Sequence, residues 1–77
     1  MTRLPIMDFK TMEKLLLHSG FQVVRQKGSH VFYRHPDGRT TTVPNYPRRE
    51  LARPLVREIL REIELSPEEF GETLEKI

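Results

Sequence analysis

The chain contains no cysteine, which excludes disulfides, a thiolate zinc site, a cysteine nucleophile and covalent haem attachment. No apolar run approaches the length of a membrane span, and the opening residues MTRLPIMDFKTMEK carry charges where a signal peptide needs an apolar stretch. The expectation is a cytoplasmic protein with no membrane partner. Also missing are a glycine-rich phosphate loop, a serine nucleophile elbow and paired catalytic carboxylates. Three histidines are present, but their separations of 12 and 5 residues fit no common ligand spacing, and no carboxylate cluster joins them. No metal and no small-molecule cofactor is expected. At 77 residues a second core would leave each half too small to fold, so residues 1–77 are expected to form one domain. That length excludes a Rossmann fold or a barrel enzyme.

Hydrophobic residues at 36% and charged residues at 31% are ordinary for a small globular chain. Net charge is only +2, yet it is divided unevenly. Up to Arg49 there are nine Lys or Arg against three acids, a balance of +6; from Glu50 onward there are four against eight, a balance of −4. Nine of the 13 cations are arginine, the side chain suited to bidentate phosphate contacts. A basic front and an acidic tail fit a polyanion contacted by one part of the chain. Taken alone, the same numbers are better read as an ordinary solvated surface.

Phe9, Met12, Leu15 and Leu16 form the stripe of an amphipathic helix over about Phe9 to Ser19, with Asp8 as its N-cap and Gly20 closing it. Phe21–Gln26 and His30–His35 read as strands joined by a Lys27-Gly28-Ser29 turn. Pro36-Asp37-Gly38-Arg39 is a tight-turn signal, and Thr40–Val43 a third, short strand ended by Pro44. Pro54 suits the first position of a second helix capped near Arg53, with the stripe Leu55, Val56, Ile59, Leu60, Ile63. Glu50-Leu51-Ala52 reads as a preceding turn. Ser66-Pro67-Glu68-Glu69 is a capping box opening a final helix through Phe70 and Leu74. The predicted fold is α+β, in the order α-β-β-β-α-α: a three-stranded antiparallel sheet with helices on one face. On the second strand His30, Phe32 and Arg34 point one way and Val31, Tyr33 and His35 the other. Neither set is plainly the core set, so the buried face stays open.

The stretch richest in chemistry is Arg25-Gln26-Lys27-Gly28-Ser29-His30. A glycine turn sets a histidine at the start of a strand, with Arg25 and Lys27 nearby. An imidazole can serve as base or acid near neutral pH. With RNA as substrate it can take the proton of a 2′-hydroxyl that attacks the adjacent phosphate, while Arg or Lys steadies the phosphoryl oxygens. On these features alone, a lone histidine beside cations is most often just a polar strand-end residue. His18 reads as a helix-end residue favoured by the dipole, and His35 as a turn-flanking one. Arg53, Arg57 and Arg61 form a basic stripe tempered by Glu58, Glu62 and Glu64. Tyr46, between prolines, is placed either to stack a base or to plug the sheet edge.

Several pieces, in this order, carry a resemblance. They are Gly20-Phe21, Arg25 to His30, His35-Pro36-Asp37-Gly38-Arg39, Thr42-Val43-Pro44, Glu50-Leu51, Leu55 to Arg61 and Leu65 to Phe70. Over nearly its whole length the chain resembles the HicA family of mRNA-interferase toxins, small proteins with a double-stranded-RNA-binding-domain-like fold. The resemblance implies His30 as the catalytic histidine and Gly28 and Ser29 as the turn presenting it. It also implies mRNA cleavage, growth arrest and neutralisation by a cognate HicB-type antitoxin. Beside it, Arg25, Lys27, Gly28 and Ser29 are the expected RNA-binding residues. Two departures stand out: Asn45-Tyr46 follows Val-Pro where many members have a histidine, and Arg53-Pro54 replaces Gly-Thr. The alternatives are a non-catalytic RNA-binding module of the same fold and a protein acting only through a partner.

Overall fold

The computed structural model describes residues 6–77; Met1 to Pro5, with Arg3 of the cationic stretch, lie outside the described residues. The elements run β1 (Met7–Asp8), α1 (Phe9–His18), β2 (Gln22–Lys27), β3 (His30–Arg34), β4 (Thr40–Pro44), β5 (Glu50–Leu51), α2 (Arg53–Glu62) and α3 (Pro67–Lys76). The expected α+β architecture is observed: β2, β3 and β4 form an antiparallel sheet in that order. Glu50-Leu51 is not the turn expected but a short strand, pairing antiparallel with Met7-Asp8. Two residues are too few to show a period, which is why the pattern concealed this pair.

The helix ends follow local chemistry. Asp8 caps α1 by accepting from the Thr11 amide at 2.9 Å, and hydrogen bonding from Thr11, its side chain first and then its amide, holds the Asp8 carboxyl below the usual carboxylate range. At the other end Phe21 N–H donates to Leu16 C=O and Gly20 N–H to Leu17 C=O, a Schellman closure with Gly20 at φ +98°. Glycine is required there twice over, because a Cβ would also lie 2.9 Å from His35 Nε2. α3 opens on the reciprocal Ser66–Glu69 capping box. α2 begins one residue before Pro54, with Ala52 as an N-cap that supplies no side-chain bond.

α2 closes with the same Schellman pattern as α1: Leu65 N–H donates to Leu60 C=O and Glu64 N–H to Arg61 C=O. Here the left-handed position is Glu64, at φ +58°, where a Cβ is unfavourable. Glu64→Gly is therefore expected to stabilise the protein by about 0.5–1 kcal/mol. The check is a higher urea midpoint at unchanged slope.

The buried face of the sheet is the one bearing Val31 and Tyr33 on β3 and Thr41 and Val43 on β4. The helices cover it, joining Met12, Leu15, Leu16, Val56, Ile59, Leu60, Ile63 and Phe70 in one core. Two buried polar groups find partners there. Tyr33 Oη donates to Glu13 Oε2 at 2.6 Å and Thr41 Oγ1 to Glu62 Oε1 at 2.7 Å. Burial, with the neighbouring Glu13 carboxylate, pushes the Tyr33 phenol far above its ordinary pKa. β2 shares none of this, since all six of its residues are exposed. It is an edge strand that extends past the helices, anchored by the buried Phe21 just before it.

The β3–β4 turn is fastened to the core by Arg39. Its guanidinium lies over the Phe21 ring, pairs with Asp37 at 2.8 Å, and donates to the Ile63 carbonyl at the end of α2. The Arg39 amide and guanidinium keep the Asp37 carboxyl below its usual range. His35 belongs to the same cluster, edge-on to Phe21. Its Nδ1 is 3.1 Å from the Asp37 amide and 3.0 Å from Asp37 Oδ1. The neutral ring accepts from the first; the protonated ring donates to the second.

Candidate functional site

Helices on one side leave the other face of the sheet open, and the β3 alternation presents His30, Phe32 and Arg34 there. Residues directly opposite across an antiparallel pair share a face, with Cβ atoms about 5 Å apart. On β2 the register sets Lys27 opposite His30 and Arg25 opposite Phe32. On β4 it sets Pro44, Thr42 and Thr40 opposite His30, Phe32 and Arg34. The cation-bearing positions read from the sequence thus meet on one exposed surface.

Two local features produce that meeting. Gly28, at φ +60°, is the first of the two loop residues between the paired Lys27 and His30, the position that type II′ hairpins reserve for glycine. The second is a bulge at Val24, where the register shifts between Val23 and Arg25. Without the extra residue, Arg25 would share the face of Val23, which lies opposite the buried Tyr33. The bulge re-aims it. Nothing in the pattern of β2 marks this reset.

The side chains divide as follows. The His30 ring is exposed and stands edge-on to Tyr46, with centroids 6.4 Å apart. Lys27 is its cross-strand neighbour. The Arg25 guanidinium lies over the Phe32 ring, 4.6 Å from its centroid, which holds a cation against the sheet surface while leaving it wet. Gly28 and Ser29 form the turn, stiffened by Gln26 Nε2 donating to Gly28 C=O at 3.1 Å and by Asn45 N–H donating to Ser29 C=O at 2.6 Å. Phe32 joins the site without a chemical motif of its own, and its alternation with Val31 and Tyr33 is the signal that places it there.

The remaining candidates lie elsewhere. His18 is in the last turn of α1 and His35 in the Phe21–Asp37 cluster. Arg57 and Arg61 are exposed on α2, Arg61 lying 3.8 Å from Glu58. Among the described residues no three carboxylate, imidazole or thiol side chains are grouped to hold a metal ion, and no helix is long and apolar enough to cross a membrane.

An exposed imidazole with an ammonium opposite and a guanidinium two pairs along can exchange a proton with a hydroxyl on a polyanion laid across the sheet. No curated protein matches the chain. The family model described as the HicA toxin of bacterial toxin-antitoxin matches residues 9–65, from the first residue of α1 to the segment after α2, and so takes in the whole open face. That match spans well over half of the 77 residues, and the chain belongs to the HicA family of bacterial toxin-antitoxin toxins.

Proposed function

We propose that the chain is a single-domain mRNA interferase, a metal-independent endoribonuclease that arrests growth and is neutralised by a HicB-type antitoxin. The observation that carries this reading is the open sheet face, where His30 and Lys27 are cross-strand partners and Arg25 stands two pairs further along. His30 takes the proton of the attacking 2′-hydroxyl. The 2′-oxygen–phosphorus bond forms as the bond to the 5′-oxygen breaks, and the 5′-oxygen leaves with a proton from solvent. Lys27 and Arg25 balance charge on the phosphoryl oxygens, while Gly28 and Ser29 fix the height of the imidazole above the sheet. The substrate is single-stranded, because the 2′-oxygen must swing in line with the leaving group and an A-form duplex resists this.

The test is end-group chemistry. Purified protein, in the presence of a chelator, is expected to cut a transcript to fragments ending in 2′,3′-cyclic phosphate and starting with 5′-hydroxyl. A single 2′-deoxy substitution at a cut site should block that cut alone. Salt-sensitive RNA binding with no cleavage under these conditions would instead identify a non-catalytic binding module.

A further inference from the structure

A groove of about 430 Å³ lies beside the His30 face, between the β4–β5 loop and the start of α1. Tyr46 belongs to both places: its ring meets His30 edge-on and it also lines the groove. Three cations, Lys10, Arg48 and Arg49, line the same groove. We propose that this groove takes the RNA strand leaving the His30 cleavage point, Tyr46 stacking the first flanking base and the three cations holding the phosphates that follow. The proposal rests on the ribonuclease reading and extends it to a second binding site on the same strand.

The construction of the loop supports this. At one end the Asn45 amide is bonded to Ser29 C=O, in the turn that presents His30; at the other, Glu50 and Leu51 are paired to β1. Between them Arg48 sits at φ +60°, a conformation that a non-glycine residue holds only where its surroundings impose it. The loop is therefore fixed at both ends relative to the imidazole. Two acids, Asp8 and Glu50, also line the groove, but they stand on the wall it shares with a second depression that includes Ile6 and Leu74. The Asp8 carboxylate is already engaged by the Thr11 amide. The volume is in the range of sites that take small ligands. An aromatic face followed by cations is the arrangement that binds single strands without reading sequence. An acidic peptide satisfies the cations but brings a π-face to Tyr46 only where it carries an aromatic residue, whereas every nucleotide brings one, so RNA is the favoured occupant.

The experiment measures binding apart from cleavage. The probe is a short 2′-O-methyl oligoribonucleotide, which has no 2′-hydroxyl to attack, and its affinity is followed over a range of salt. The Lys10→Gln, Arg48→Gly, Arg49→Gln triple variant should lower the slope of log affinity against log salt by about 2, from three lost single-strand phosphate contacts. Glycine at position 48 keeps the left-handed backbone free of strain. Tyr46→Ala should weaken binding about tenfold. Arg61→Gln with Lys76→Gln, two cations outside the groove, should leave the slope unchanged. If the triple variant keeps the wild-type slope, or the control loses as much, the groove is not the RNA path. The ribonuclease reading would survive that result, and an acidic protein segment would become the occupant to examine. Failure of the unaltered protein to bind the probe at any salt overturns both readings.

Discussion

His30→Ala is expected to restore growth to cells in which the induced wild-type chain stops it, with transcripts left intact. A positioned acid or base contributes about 10²–10⁴-fold to a proton-transfer step, so turnover should fall by that factor. The fold should scarcely notice. His30 is exposed, its only ring contact among the described residues is the edge of Tyr46, and surface substitutions of this kind stay within about 0.5 kcal/mol. Matched soluble levels and an unchanged melting temperature would confine the loss to chemistry. His30→Gln keeps hydrogen-bonding capacity without a titratable ring, and should be as inactive as alanine. Equal arrest by wild type and His30→Ala would remove the imidazole from the mechanism. Equal growth, with folding verified and no antitoxin present, would remove the toxin reading.

Phe70→Ala should have the largest effect on stability. α3 lies beyond the matched residues 9–65, and Phe70 is its one buried residue, at 1% exposure. Truncating a buried phenylalanine costs about 3–5 kcal/mol. Small domains hold only about 5–15 kcal/mol in total. The melting temperature should accordingly fall by more than about 12 °C. The sheet and its open face are built from other residues, so the part of the population that stays folded should keep wild-type activity per molecule. A shift of only a few degrees would show that α3 is held by its cap and by Leu65 and Leu74 instead, which are only partly buried.

Both ends of α1 and the start of α3 are legible in the sequence because they depend on near neighbours, whereas α2, capped by Ala52 without a side-chain bond and closed by Glu64, is not. Asp8, Gly20 and the Ser66–Glu69 box satisfy amides or carbonyls within a turn of themselves, so residue type at a fixed offset identifies them. The three long strands were legible from composition and turn glycines. Which side of the sheet is buried was not legible, since both sets of β3 side chains mix aromatic and polar residues. Tyr33 decides it through a bond to Glu13, 20 positions away, and no local pattern encodes a partner at that range. The bulge at Val24 and the pairing of Glu50-Leu51 with Met7-Asp8 leave no local signature for the same reason, being agreements between distant segments. For the candidate site, His30, Lys27 and Arg25 could be read as a group from their spacing. The approach of Tyr46 to His30 could not, because it depends on the loop anchored by the Asn45–Ser29 bond.

The alternation of β3 has a consequence for when the protein can act. His30 and Val31 are adjacent, one outward and one in the core, and the same holds for Phe32 and Tyr33. A slip of one residue in the pairing would draw the imidazole into the core and expose valine and tyrosine to water. The correct register places His30 and Lys27 on one surface, and it is the register that seats Tyr33 against Glu13. A half-formed chain leaving the ribosome therefore has the residues of the site without the site. On the proposed mechanism, RNA cleavage therefore begins only once the register is set and the fold is complete.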